Sequence, residues 1–164
     1  MSRVSAAVLV CFGFLFTGPL PGATTSDLPA PGPQYTPDEV VRIQLDALRN
    51  NDKPHPDAGI ATTFAFASPR NRASTGPLQQ FAKMLRAPGY VSMLNHHAAE
   101  FGLLEIDGNL ALQPVILTTA RGGRMGYMFE LSKQTSDDCD GCWMTDGVVP
   151  FSVKEEPPHE GIML

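Results

Sequence analysis

Hydrophobic residues repeat with two different spacings along this chain, and the spacing changes near Asn95. Before that point the apolar positions return every three or four residues, which is the spacing of one face of an α-helix. After it they return every second residue, as in a β-strand with one buried face. Helices followed by strands are typical of an α+β fold. We therefore predict three helices packed on one face of a curved antiparallel sheet of four or more strands.

The first helix has the clearest signals. Thr36 supplies an N-cap hydroxyl, Pro37 occupies the first helical position, and Glu39 lies three residues after the cap. Together these residues form a capping box. The apolar stripe behind it consists of Val40, Val41, Ile43, Leu45, Ala47 and Leu48.

Two further helices are predicted before the strands begin. Asp57 is positioned to cap the second, which ends at Ser68-Pro69. The polar stretch Arg70–Thr75 is predicted to be a loop. The third helix opens at Gly76-Pro77 and ends after Leu85, before another Pro-Gly pair.

Four β segments fill the second half of the chain, separated by turns that contain glycine. They are His96–Ile106, Leu110–Ala120, Arg124–Lys133 and Cys142–Phe151. Such short turns join only antiparallel neighbours, so we predict a meander.

The N-terminal end resembles a secretory signal. Residues 4–16 are almost wholly apolar, follow Arg3, and precede a short run rich in Gly and Pro that ends at Ala23. The apolar run is shorter than the roughly 18 residues of a spanning helix, so we predict cleavage near Ala23 and no stable membrane anchor afterwards. An uncleaved membrane anchor is the alternative. The export route, whether to a periplasm, the exterior or an organelle lumen, is left open.

The chain after the signal segment divides into three parts. Residues 24–35 are rich in Pro, Gly, Ser and Thr and are predicted to be a flexible linker, residues 36–151 form one α+β domain, and residues 152–164 form a disordered tail. A chain of 164 residues has room for one sizeable core. Its net charge of −5 and scattered Lys and Arg argue against nucleic acid as a partner.

Two cysteines lie close together as Cys139-Asp140-Gly141-Cys142. In an exported protein such a pair is a disulfide candidate, although two plain thiols or a labile redox couple remain alternatives. Metal is the weakest option, because structural zinc needs four ligands and no second Cys or His cluster completes the set. We predict no metal and no cofactor.

Several runs along the chain have a characteristic order and spacing. They are Ile43–Ala47, Phe64–Pro69, Phe81–Leu85 with Tyr90, Gln113–Val115 and Trp143–Asp146. Together they resemble the domain of unknown function 4864 family, over about Pro37 to Phe151. That family looks like a member of the nuclear transport factor 2-like superfamily, whose cone is a curved antiparallel sheet wrapped around helices. The resemblance implies a cavity between sheet and helices, which relatives use for isomerase, dehydratase or epoxide hydrolase chemistry, or for binding partners. Fold alone therefore assigns no reaction.

A catalytic cavity would need an ionisable group in apolar surroundings. Asp146, Tyr127 and His97 are the candidates. Asp146 lies mid-strand, where an acid is disfavoured unless it is solvated or paired; alternatively it shares an exposed face with Met144 and Val148 while Thr145 and Val149 pack inward.

Strand alternation constrains the other two catalytic candidates. Tyr127 shares a face with Phe129 and Leu131, which indicates a core position. If Phe101 points inward, His97 shares its face and His96 points the other way.

Gln44, Tyr90 and Tyr127 are the predicted ligand contacts. Gln44 stands among apolar helix positions, so it either enters the cavity as a hydrogen-bonding group or marks the border of the helix face. No Gly-rich phosphate loop, His-Glu-x-x-His motif or nucleophile elbow is present in the sequence. We therefore expect non-enzymatic binding of a small apolar ligand or a protein partner, with a homodimer as one form of partner. The alternative is a small lyase, isomerase or hydrolase.

Overall fold

The computed structural model describes residues 28–135 and 139–153. The predicted signal segment, linker residues 24–27 and the tail from residue 154 lie outside the described residues. The chain folds as α+β, with the helices before an antiparallel sheet of five strands, as the hydrophobic pattern predicts. The helices are α1 (Pro37–Arg49), α2 (Ala58–Ala65), α3 (Pro69–Thr75) and α4 (Leu78–Leu85), followed by a 3₁₀ turn (Val91–Met93). The strands are β1 (Ala98–Phe101), β2 (Glu105–Asp107), β3 (Leu110–Thr118), β4 (Arg124–Lys133) and β5 (Trp143–Phe151).

Helix α1 begins at the predicted capping box. The Thr36 backbone N–H donates to the Glu39 carboxylate at 2.8 Å, so the acid satisfies a donor that the first turn leaves free. Val40, Val41 and Leu48 are fully buried. The apolar stripe of α1 is therefore the centre of the core.

Helix α2 packs on α1 at unusually short range. A Cβ atom added to Gly59 would lie 2.2 Å from the carbonyl oxygen of Ala47, so only glycine fits at this contact. The buried Asn51 side chain supports the junction, because its Oδ1 accepts from the Ile60 N–H at 3.1 Å. Both contacts hold the two helices as one layer.

Asp57 occupies the N-cap position of α2 but does not cap it, contrary to the prediction. Its backbone is left-handed, with φ of 61°, and no side-chain capping bond forms. Its carboxylate instead accepts from Arg86 and from Asn51. The hydrogen bond from Arg86 is the main reason that the pKa of Asp57 lies below its usual value.

The predicted loop at Arg70–Thr75 is wrong, because these residues belong to α3. Ser68 caps the helix by accepting from the Asn71 N–H at 3.1 Å, and Pro69 occupies the first turn. The segment carries no apolar stripe because it lies at the edge of the sheet, so the hydrophobic pattern does not reveal it.

The strand order is β1-β3-β4-β5, and β2 also pairs with β3. The predicted first strand, His96–Ile106, is thus broken into β1 and β2, both antiparallel to β3. The interruption falls at Gly102, where an added Cβ would meet the Pro114 ring at 2.8 Å. The other three predicted segments form β3, β4 and β5.

Strand β5 contains a β-bulge at Asp146. Glu130 pairs with Gly147 and Leu131 pairs with Thr145, so Asp146 has no partner on β4. Beyond this extra residue, the inward and outward positions of β5 are exchanged. Val148 therefore faces inward, opposite Phe129. The predicted inward position of Val149 is therefore wrong, since this side chain is 50% exposed.

The two faces of the sheet differ. Its inner face carries Tyr127, Phe129 and Leu131, which are buried against the helices. Its outer face exposes apolar side chains, while Phe151 lies over Gly126 at a distance that leaves no room for a Cβ. The exposed apolar residues of this face include Leu110, Leu112, Val149 and Phe151.

We expect Gly59→Ala to destabilise the protein, because its methyl group would overlap a backbone carbonyl that cannot rotate away. Overpacking of this kind costs about 3 kcal/mol at the upper end of its usual range. Urea unfolding followed by circular dichroism measures the change. Gly89→Ala is the matched control, since nothing lies within 4 Å of the added Cβ, and equal stability of both variants would contradict the close α1–α2 contact.

Candidate functional site

A cavity of about 210 Å³ lies between the helices and the inner face of the sheet. Its size is below the roughly 300–1,000 Å³ of sites for drug-sized ligands, so it suits a small molecule. Most of its wall is apolar. The apolar lining includes Ala67, Phe81, Met84, Leu85, Phe129 and Val148. We call this space the inner cavity.

Gln44 is the most deeply buried polar residue of the inner cavity, at 1% exposed. Its amide nitrogen donates to the Val40 carbonyl at 3.2 Å and to the Thr145 hydroxyl at 2.8 Å. A carbonyl oxygen can only accept, so the contact with Val40 identifies this atom as Nε2. The Oε1 atom receives no hydrogen bond from any described residue. Gln44 is thus held in place with a free acceptor.

Asn71 of α3 repeats this arrangement. Its Nδ2 donates to the Thr145 carbonyl at 3.0 Å, and the side chain is 8% exposed on the cavity wall. Across the described part of the chain no donor reaches its Oδ1 either. Two amide groups from different helices are therefore fixed on Thr145, and each keeps an acceptor oxygen available.

Asp146 lines the inner cavity beside Thr145 and is its one charged side chain within the described residues. The β-bulge places it there: as the unpaired residue of β5 it is re-aimed relative to regular strand alternation. It is partly buried and forms no salt bridge with a described cation. The alternative of a simple exposed strand face does not describe this position.

The two tyrosines have different positions. Tyr90 lines the inner cavity, and its hydroxyl donates to the Val148 carbonyl at 3.1 Å. Tyr127 is fully buried behind it, with ring centroids 6.5 Å apart, and donates to the Gly89 carbonyl at 3.2 Å. Burial raises the pKa of the Tyr127 hydroxyl. Tyr127 is thus a core residue and does not line the inner cavity.

The predicted facing of the histidines is reversed. His97 is exposed, whereas His96 is 3% exposed with Nδ1 at 2.9 Å from the Met93 carbonyl. Strand β1 begins only at Ala98, and the left-handed backbone of Asn95 turns the chain just before the pair. Burial lowers the pKa of His96. Neither ring lines the inner cavity, so the structure does not bring Asp146, Tyr127 and His97 together.

A second, larger cleft of about 770 Å³ opens at the end of the sheet. Asp146 and Ser74 line both spaces, so they mark the boundary between them. The charged lining of this outer cleft comprises Glu105, Asp107, Glu130, Asp146 and Arg70. Its floor is apolar and includes Leu110 and Leu112.

Cys139 and Cys142 are joined by a disulfide, with their Cα atoms 5.5 Å apart. The pair lies in the turn that leads into β5, where Gly141 takes the left-handed conformation with φ of 79°. Neither cysteine lines the inner cavity or the outer cleft. The disulfide therefore closes a turn and is separate from both spaces.

Two features are absent from the described residues, a cluster of metal ligands and a helix that could cross a membrane. Within residues 28–135 and 139–153, no group of three or more His, Cys, Asp or Glu side chains is arranged to hold a metal ion. None of the helices in these ranges has the length and hydropathy needed to cross a bilayer.

Sequence reasoning identified Gln44, Tyr90 and Asp146, which the fold brings to one cavity, but missed Asn71 and Thr145. The hydrophobic pattern predicts a loop at Asn71 and indicates no more than an inward strand position for Thr145. A signal was available in the Ser68-Pro69 cap, which starts the helix that carries Asn71.

Comparison with known families gives one match. A family model described as a domain of unknown function (DUF4864) matches residues 34–156. No curated protein and no solved structure matches the chain.

Proposed function

We propose that this chain, which belongs to the DUF4864 family of domains of unknown function, is a non-enzymatic domain that binds a small, mainly apolar molecule in its inner cavity. One observation carries the proposal. The cavity wall combines apolar side chains with the acceptor oxygens of Gln44 and Asn71, which no described donor satisfies. An apolar space with a few fixed polar groups is the usual form of a small-molecule site.

The apolar lining supplies affinity and the polar groups supply orientation. Transfer of apolar surface out of water contributes about 25 cal/mol per Å² buried. A buried acceptor without a donor is unfavourable, so a ligand that donates a hydrogen bond to Gln44 gains over one that does not. The preferred ligand is therefore a small hydrocarbon body with at least one donor group.

We further propose that the architecture is a nuclear transport factor 2-like cone. The support is the order of elements, with helices first, and a cavity enclosed between those helices and one face of an antiparallel sheet. Such a cone provides a binding space without prescribing a reaction.

The enzymatic alternative, a small lyase, isomerase or hydrolase, has less support. Of its three proposed residues only Asp146 lines the inner cavity, while Tyr127 donates to Gly89 and His97 is exposed. General acid–base catalysis needs its groups within hydrogen-bonding reach of the same substrate atoms. A binding role requires only the groups that are present.

A homodimer formed by the outer sheet face is a second part of the proposal. Leu110 is 60% exposed and Val149 is 50% exposed on this face, and Phe151, two residues after Val149, covers Gly126. Exposed apolar patches of this kind mark interaction surfaces. Two copies that pack by the same face would form a closed, two-fold symmetric pair.

Export of the protein is the third part of the proposal. The apolar N-terminal run and the small residues before Ala23 support it, and a disulfide between Cys139 and Cys142 suits an oxidising compartment. The working form would then begin close to the linker.

Benzyl alcohol is a suitable probe for the inner cavity, because it joins a small ring to one hydroxyl donor. We expect binding with a dissociation constant on the order of 1 mM, seen by NMR titration as shifts of the Gln44 and Asn71 side-chain amides. Val148→Phe, which fills the cavity, should weaken binding roughly tenfold. Met128→Phe adds its ring away from the cavity as control, and equal affinity in both variants would contradict the proposal.

For the dimer, sedimentation equilibrium of the domain should show a two-copy species. Leu110→Glu places a charge in the proposed interface of each copy, and we expect it to weaken association by roughly tenfold or more. Gln79→Glu adds the same charge on the exposed surface of α4 and should have no effect. A wild-type protein that stays monomeric at high concentration would refute this interface.

For export, intact mass measurement of the protein from its native compartment should show an N-terminus close to Ala23 and the loss of two hydrogen atoms at Cys139 and Cys142. Reduction and alkylation should then add two alkyl groups. A chain that still begins at Met1, or two thiols that alkylate without reductant, would count against this part.

A further inference from the structure

Acceptor oxygens outnumber donors among the free side-chain groups on the polar wall of the inner cavity. The amide nitrogens of Gln44 and Asn71 are both occupied by Thr145, the first by its hydroxyl and the second by its carbonyl. Gln44 donates its second amide hydrogen to the Val40 carbonyl and so keeps only a carbonyl oxygen, whereas Asn71 keeps a carbonyl oxygen and one amide hydrogen. The Tyr90 hydroxyl has already donated its proton to Val148.

Gln44 Oε1 is the deepest of these acceptors. The side chain is 1% exposed, and among the described residues no fully enclosed polar side-chain atom lacks a partner. Because no described donor reaches Oε1, this atom must border the open space of the cavity. A donor inside the cavity is the group that would satisfy it.

The charge of the cavity lining is a second, independent constraint on the ligand. Asp146 lines the inner cavity, whereas no Lys, Arg or His of the described chain does so. Asp146 is therefore the one charged residue among the described residues of this lining, and no described cation lies within salt-bridge distance of it. The rings of Phe81 and Phe129 contribute π-faces, which also attract cations.

We propose that the ligand of the inner cavity is a small primary amine, bound as its ammonium ion, with a short hydrocarbon body. This inference rests on the proposed binding function and specifies its ligand class. An ammonium group has three donors and no acceptor, which complements Gln44 Oε1, Asn71 Oδ1 and the Asp146 carboxylate. Both amides are fixed on the same residue, Thr145, and Asp146 follows it directly in the chain.

The same wall selects against other head groups. A carboxylate would face Asp146 as a like charge and would find two free side-chain donors among the groups described above, the Thr145 hydroxyl and the second amide hydrogen of Asn71. An alcohol offers one donor against several acceptors. The inner cavity therefore ranks ammonium above alcohol and alcohol above carboxylate for the same hydrocarbon body.

Benzylamine at neutral pH, benzyl alcohol and benzoate test this ranking directly on the wild-type domain. By NMR titration we expect benzylammonium to bind about tenfold more tightly than benzyl alcohol, because its hydrogen bonds are charge-assisted. Benzoate should cause no shifts at Gln44 or Asn71. These measurements need no variant, so misfolding cannot mask the outcome.

Variants then assign the preference to Asp146. Asp146→Asn keeps the shape and removes the charge, and we expect it to bring benzylammonium down to the affinity of benzyl alcohol. Glu130→Gln is the matched control, since Glu130 lines the outer cleft but not the inner cavity. Its affinity for benzylammonium should equal that of the wild type.

The two proposals fail in different ways. If benzyl alcohol binds in the inner cavity and benzylammonium binds no more tightly, the amine inference is overturned and the binding function stands. If Glu130→Gln weakens benzylammonium as much as Asp146→Asn does, the amine occupies the outer cleft and the inference is also overturned. If neither compound shifts Gln44 or Asn71, both proposals are refuted.

Discussion

Thr145 is the residue through which the helical layer is fastened to the sheet. Its backbone N–H donates to the Phe66 carbonyl and its own carbonyl accepts from Ser68, each at 2.9 Å, so the chain between α2 and α3 covers the edge of β5. The same carbonyl accepts from Asn71, and its hydroxyl accepts from Gln44. Each such bond contributes about 1 kcal/mol, but their convergence on one residue matters more, because it fixes two helices against one strand.

The inner cavity follows from that attachment. Phe66 and Ser68 hold the edge of β5, and the space between this strand and α4 is lined by Phe81, Met84 and Val148. The bulge at Asp146 lies directly after the fastened residue. A regular strand would turn residue 146 to the opposite face from Thr145, whereas with the bulge Asp146 is part of the cavity lining.

The edge of β5 is covered, whereas the outer face of the sheet is open. Strand β5 would otherwise present unpaired backbone groups, which natural proteins cover or disrupt. Here the segment between α2 and α3 covers them at Thr145. The outer face of the sheet has no such cover among the described residues, and its exposed leucines and Phe151 are the surface on which dimer formation is proposed.

Helices and strands with local signals can be predicted from the sequence. The capping box of Thr36 and Glu39, the stripe of α1, and the inward side of β4 were all predictable, because helix and strand periods decide which side chains share a face. The order of helices before strands likewise indicated the α+β class.

The residues that meet at the inner cavity are brought together by the tertiary structure. The hydrogen bond from Gln44 to Thr145 spans 101 residues and that from Asn71 to Thr145 spans 74, and no local pattern encodes such a contact. The bulge at Asp146 depends on how β4 and β5 pair, and α3 is stabilised by its edge contact and cap without an apolar stripe. Periodicity specifies the faces of single elements, whereas the cavity and its chemistry depend on where those elements meet.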